Sequence, residues 1–427
     1  MRRTRWSGLG VVAVGLSAVA LAVVPSLAGA QGTQARHASD ITLTYWNAYS
    51  SDSPEEATIE KVVIPGFEAA HPGITVKSVN IPYDDLHQKL LTATAGGNLP
   101  DVVRSDIIWV PELAQLGVLA PLDSQLPDFK ALSKLVYPGP LATNLYKGHY
   151  YGFPLDTNTR VMMNNGGALK AAGVKHPPAT FAALQAMASK LKAKGISAFA
   201  DNGTSGWNLF PWIWSAGGSI TNPSATKASG YLNSAASVAG VQLLVNLYKG
   251  GDLPKLILGD KGSLQTSDGL PKGKYATILD GPWMFPIFST SYPKFVLHTA
   301  PMPAGPGGSI SVVGGEDIVM TNATSNKAAA EQFIDYMLSP AAQIAMAKVG
   351  QMTVRTDLTS QMLAIHPYYK IFLQQLKTAR PRVPTPQYPK IESIISDDVQ
   401  KAFQGKQTVQ QALNDAAKQI DPILTAS

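Results

Sequence analysis

Read from residue 41 onward, the chain alternates between short runs of β-forming residues and longer stretches of helical spacing. Ile41-Thr42-Leu43-Thr44-Tyr45-Trp46 alternates and is rich in β-formers, which predicts a strand. Ser53-Pro54-Glu55-Glu56 then offers an N-cap, a proline at N1 and a glutamate at N3, a capping box that opens a helix. Ile59, Val62, Val63 and Phe67 recur at helical spacing, and His71-Pro72-Gly73 ends the run. A second strand is expected over Ile74 to Val79, a helix through Leu86, Leu90 and Leu91 up to Gly96-Gly97, and a third strand at Asp101-Val102-Val103. This β-α-β-α-β succession implies right-handed crossovers and a mostly parallel sheet.

From about Tyr150 the pattern restarts. Arg160 to Met163 reads as extended, 180–194 and 235–249 as helices, and Lys274 to Leu279 as a strand ending at Gly281-Pro282-Trp283. A Pro/Gly-rich stretch runs from Pro301 to Gly308, and Ser311-Val312-Val313 resumes an extended chain. The last hundred residues read as mainly helical, interrupted by a proline-studded loop from Pro381 to Pro389. No internal repeat is evident, and 31–39 is the one low-complexity stretch.

The first thirty residues change the picture. Arg2, Arg3 and Arg5 precede an uncharged apolar run from Gly8 to Val24, and small residues end at Ala28-Gly29-Ala30. That order matches a secretory signal peptide over 1–30, cleaved after Ala30, with retention as a short anchor as the alternative. The protein is therefore expected outside the cytoplasm, in the periplasm or at the cell exterior. The chain contains no cysteine, which excludes disulfides, thiolate metal sites and an N-terminal lipidated cysteine. Three of the 35 basic residues lie in this leader, leaving 32 against 29 acidic groups spread along the chain, so nucleic acid is not an expected partner. Charged residues make up 15% of the chain, low against the roughly 25% usual for soluble proteins. At 427 residues the chain exceeds one ordinary core, and two domains are expected.

A set of short motifs, in order, carries a resemblance. They are Tyr45-Trp46, Phe67-Glu68 to Pro72-Gly73-Ile74, Leu99 to Val103, Leu116 to Asp123 and Tyr151-Gly152-Phe153-Pro154. Gly281-Pro282-Trp283, Pro301 to Pro306, Gly314-Gly315-Glu316-Asp317, Ser339 to Gln343, Arg355 and Gly405-x-x-Thr408 follow. Singly these are weak; their order over nearly all of 41–423 is specific. The chain resembles the extracellular solute-binding proteins of carbohydrate ABC importers, the group of maltose-, trehalose- and multiple-sugar-binding proteins. The resemblance implies an α/β fold of two lobes, the type II periplasmic-binding-protein fold, with a hinge that the chain crosses three times. It places lobe one at 40–153 plus 303–352 and lobe two at 154–302 plus 353–427. It also implies a monomer that binds a sugar or polyol between the lobes and hands it to the membrane permease subunits of an ABC importer.

A sugar presents a weakly apolar C–H face and a rim of hydroxyls, so its site calls for flat aromatic rings and for bidentate polar groups around them. Outside the leader the chain has Trp46, Trp109, Trp207, Trp212, Trp214 and Trp283. The resemblance assigns Trp283 to stacking on the ligand. Trp46 and Asn47 follow the first strand, and Trp207 or Trp212 is the better candidate in the later cluster. The expected rim is Asp106, Asp156, Glu316 with its neighbour Gly315, and Arg355. Each has a plain structural role open to it, from helix cap at Asp106 to surface ion pair at Arg355.

Catalytic signals are poor. The sequence has no zinc motif, no Gly-x-Ser-x-Gly elbow and no dinucleotide fingerprint, and neither cofactor nor metal is expected. A glycerol-phosphate receptor of the same fold remains an alternative, with Arg355 and Arg104 as its cationic groups. A secreted carbohydrate-active enzyme using Asp106, Asp156 or Glu316 is the alternative of a different class.

Overall fold

The computed structural model describes residues 40–425; the expected signal peptide and the stretch 31–39 lie outside the described residues. Two mixed sheets organise the chain. The first runs in the order Ile74–Asn80, Ile41–Asn47, Val102–Asp106, Glu316–Met320, Gly152–Pro154. The second runs Leu297–Ala300, Val161–Asn165, Tyr275–Asp280, Ser197–Ala200.

The expectation of mostly parallel sheets holds for the opening β-α-β-α-β unit, whose three strands pair in parallel. It fails for most of the strands added later, although Tyr275–Asp280 and Ser197–Ala200 pair in parallel. Glu316–Met320 and Gly152–Pro154 join antiparallel, as do Val161–Asn165 and its neighbours on both sides. None of these strands is joined to its sheet neighbour by a helical crossover of the β-α-β kind, so nothing forces them into the parallel sense.

Each sheet is covered on both faces, which explains why several strands read as apolar runs. Along Val102-Val103 and Ile318-Val319-Met320 the period of two sends Val102, Ile318 and Met320 to a core with Tyr45, Phe67 and Phe333, and Val103 and Val319 to another with Leu86, Leu90 and Leu113. The second sheet splits likewise, with Phe199 and Leu279 on one face and Val161, Met163 and Ile278 on the other.

The first helical segment starts where expected, at Pro54, with Ser53 Oγ accepting from Glu55 N at 3.3 Å. Glu55 rather than Glu56 turns inward and is buried. A π-helical turn at Ile59–Val63 follows before the helix resumes.

Three passages join the two halves. Asn158–Thr159 pairs antiparallel with Val313–Gly314, and the nearby Thr157 N donates to Met352 O at 3.3 Å. Ile310 and Val312 pack in the core of the second sheet, whereas Val354 packs in that of the first.

Candidate functional site

The strands of both sheets end at a shared cleft of about 790 Å³. Its first wall is built from Ala48, Ser50, Glu55, Tyr83, Arg104, Asp106, Gly315 and Glu316. Its second is built from Arg160, Asp201 to Ser205, Trp207, Asn208, Asp280, Trp283 and, from the C-terminal part of the chain, Arg382 in a loop and Glu392 on a helix. Ligands of α/β folds characteristically sit beyond the carboxyl ends of the strands.

Two indoles line the second wall of the cleft. Trp283 follows the strand Tyr275–Asp280 through the turn Gly281-Pro282, and Trp207 opens the helix Gly206–Ser215. Their rings stack 6.1 Å apart at 30°. Each lies against a glycine: a Cβ at Gly281 would meet the Trp283 ring at 2.2 Å, and one at Gly314 would meet Trp207 at 2.5 Å. Only glycine leaves room for either ring. The guanidinium of Arg160 sits 5.5 Å from the Trp207 ring centre, a cation–π contact behind the wall.

Carboxylates outnumber the cations around these rings. The lining includes seven, against Arg104, Arg160 and Arg382, and each arginine is already engaged by the protein. Arg104 Nη2 reaches Glu316 Oε2 at 2.8 Å and Asp156 Oδ2 at 3.1 Å, Arg160 Nη2 reaches Asp201 Oδ1 at 2.7 Å, and Arg382 Nη2 reaches Asp106 Oδ1 at 3.3 Å. Burial pushes the Asp280 carboxyl up to about 6, opposed by the Arg160 charge and by the Gly281 amide. Burial also raises Glu316 well above the usual carboxylate range and raises Asp201, the neighbouring arginine opposing it in each case. The cleft thus favours ligands that donate hydrogen bonds to carboxyl groups.

Of the ten candidates, Trp283, Trp207, Asp106, Gly315 and Glu316 line the cleft. The other five are placed elsewhere. Trp46 belongs to the opposite strand face, packed beside Leu86 and Leu90 with Lys89 Nζ 4.9 Å from its ring centre. Asn47 is buried, its amide donating to Ser78 Oγ at 2.8 Å. The strand runs to Asn47 rather than Trp46, so the residues that emerge into the cleft are Ala48 and Ser50. Asp156 is buried behind Arg104. Trp212 sits on the far side of its helix from Trp207, fully buried between Phe181 and Phe199. Arg355 forks onto Asp357 at 3.0 and 2.7 Å and donates to Leu338 O at 3.0 Å, away from the cleft.

Sequence reasoning missed Tyr83, Asp201, Asp280, Arg160 and Arg382. Asp280 had a signal, since it ends a strand and directly precedes Gly281-Pro282-Trp283. Tyr83 opens the helix after the second strand, next to the cleft by the same topological rule. Among the described residues no cluster of His, Cys, Asp or Glu could hold a metal ion, and no helix is long and apolar enough to cross a membrane.

Comparison with known proteins gives this architecture its class. The profile of the bacterial extracellular solute-binding protein family matches residues 50–344, and the chain belongs to that family. A binding protein of Brucella abortus is 27% identical over 376 residues, covering 84% of this chain and 88% of the relative. The multiple sugar-binding protein of Streptococcus mutans is 26% identical over 355 residues, 77% of each chain. The crystal structure of an ABC transporter solute-binding protein from Thermotoga lettingae, bound with α-D-tagatose, superposes with a TM-score of 0.81 at 25% identity, covering 90% of this chain and 100% of that one. The two-lobed fold and the exported character of the family agree with the reading of the sequence.

Proposed function

We propose that this protein captures a neutral sugar or polyol between its lobes and delivers it to the membrane permease subunits of an ABC importer, acting as a monomer and without turnover. The observation that carries this reading is the pair of stacked indoles, Trp207 and Trp283, partly exposed in a cleft whose rim is rich in carboxyl groups. Indole faces suit the C–H surface of a sugar ring, and carboxylates accept from adjacent hydroxyls. In this proposal Trp283 and Trp207 stack on the ligand, and Glu316, Asp280 and Asp201 hold its rim. The lobes exchange chain at 156–159, 312–315 and 351–355, so we assign 303–312 to lobe two, later than the resemblance implied.

The glycerol-phosphate reading is disfavoured. Arg355 lies outside the cleft, and among the described residues that line it Arg104, Arg160 and Arg382 are each already paired with a carboxylate. With no cysteine to carry a lipid, the exported protein is proposed to be free of a lipid anchor.

The test is a thermal-shift screen against mono-, di- and trisaccharides, polyols and glycerol phosphates. A ligand at about 100 times its Kd that binds only the folded state adds roughly 2.7 kcal/mol. Stabilisation by neutral sugars or polyols is the expected result, and a response confined to phosphate esters would overturn it. Incubation with oligosaccharides should release no new reducing ends; their appearance would move the protein to the enzymes.

A further inference from the structure

Arg382 and Asp106 meet across the cleft, each anchored on its own side. Arg382 belongs to the proline-studded stretch that is tied to the second lobe. Arg380 N donates to Ser311 O and Val313 N donates to Arg380 O, both at 2.9 Å, and Val383 packs in the second sheet's core. The Arg382 guanidinium lies 5.9 Å from the Trp207 ring centre and 6.0 Å from that of Tyr388, two aromatic faces of the same lobe. Asp106 ends a strand of the first sheet. The Tyr83 hydroxyl donates to its Oδ2 at 2.6 Å, and Ile108 N donates to its Oδ1 at 2.9 Å. Between these two supported groups runs the 3.3 Å contact from Arg382 Nη2 to Asp106 Oδ1, and both residues are 7% exposed.

We infer that Arg382 and Asp106 are positioning residues, an interlobe latch that forms without ligand and holds part of the ligand-free population closed. Both partners are pre-oriented by groups of their own lobe, so making the contact orders little that was not already ordered. Opening the cleft breaks this contact, and the return of both groups to water offsets part of its strength, so the latch biases the closed form modestly. A receptor whose binding-competent form is fractionally populated shows an affinity reduced by that fraction. A latch that raises the closed fraction therefore tightens binding of any ligand, with no contact to the ligand required. Asp106, expected from the sequence as a rim carboxylate, acts here through the position of the lobes.

The experiment is small-angle X-ray scattering of ligand-free Arg382→Gln, Asp106→Asn and the double variant, with circular dichroism confirming that each is folded. The expected result is a larger radius of gyration for both single variants and no further increase in the double variant. Tyr83→Phe, which keeps the ring and removes the hydroxyl that orients Asp106, should move the same way by less. With a sugar found in the screen, saturation should return every variant to the wild-type dimensions, and affinity should fall about three- to tenfold. Unchanged ligand-free dimensions in folded single variants would overturn the latch, as would single-variant effects that add in the double. The scattering measurement needs no ligand, so the latch and the sugar-binding proposal fail separately.

Discussion

The two walls of the cleft are built on different principles. On the first, charged groups meet one another: Arg104 holds Glu316 and Asp156, and Tyr83 holds Asp106. On the second, two indoles present their faces, with Arg160 and Asp201 set behind and beside them. The charged wall pairs its charges with one another, although Glu55 Oε1 and Arg104 Nε are buried without a hydrogen-bond partner; the aromatic wall leaves apolar surface uncovered, which a protein maintains only at some cost. The same contrast recurs inside one helix, where Trp207 faces the cleft and Trp212, five residues on, is fully buried. Exchanging Trp212 for alanine should therefore give the largest effect, a stability loss of about 3–5 kcal/mol in chemical denaturation. The affinity of the folded fraction should be unchanged. Trp283→Ala should do the reverse, costing at least about 2 kcal/mol of ligand affinity in calorimetric titration with little change in stability. If the two variants behaved alike, the division between a packing and a presenting aromatic would fall.

The sequence carried the scaffold further than the site, for a physical reason. Strand and helix positions follow from local periodicity, which is why Ile41–Asn47, Ile74–Asn80, Phe181–Lys192 and Ala235–Lys249 were visible within a residue or two. Trp283 and Glu316 could be placed because a recognisable motif fixes them beside a strand end. Trp46 and Asn47 could not, because a single residue of strand length decides which side chain emerges into the cleft. Arg382 gave no signal at all. Its partner Asp106 lies 276 residues away in sequence, and nothing near Arg382 marks the encounter. Strand direction escaped as well, since Glu316–Met320 joins the first sheet antiparallel only after its chain has passed through the other lobe.

The smallest of the three effects is also the most specific test of the aromatic wall. Asp280 has its carboxyl pushed up to about 6 by burial beside the Trp283 indole, so the folded state keeps a proton that the unfolded chain releases near the ordinary 3.8. Between those values the folded form binds more protons than the unfolded one, and stability falls as pH rises through the window. This is opposite in sign to a salt-bridged acid. A gap of that size, already net of the opposing Arg160 attraction, corresponds to about 3 kcal/mol at most. Asp280→Asn keeps an acceptor for Gly281 N and removes the titration. We expect the variant to be more stable than wild type by about 1–2 kcal/mol at pH 7.5, with the difference vanishing near pH 4, and to bind its sugar more weakly. A stability difference independent of pH would show that Asp280 does not titrate as its surroundings imply. A gain in stability without loss of affinity would remove Asp280 from the rim that the ligand touches.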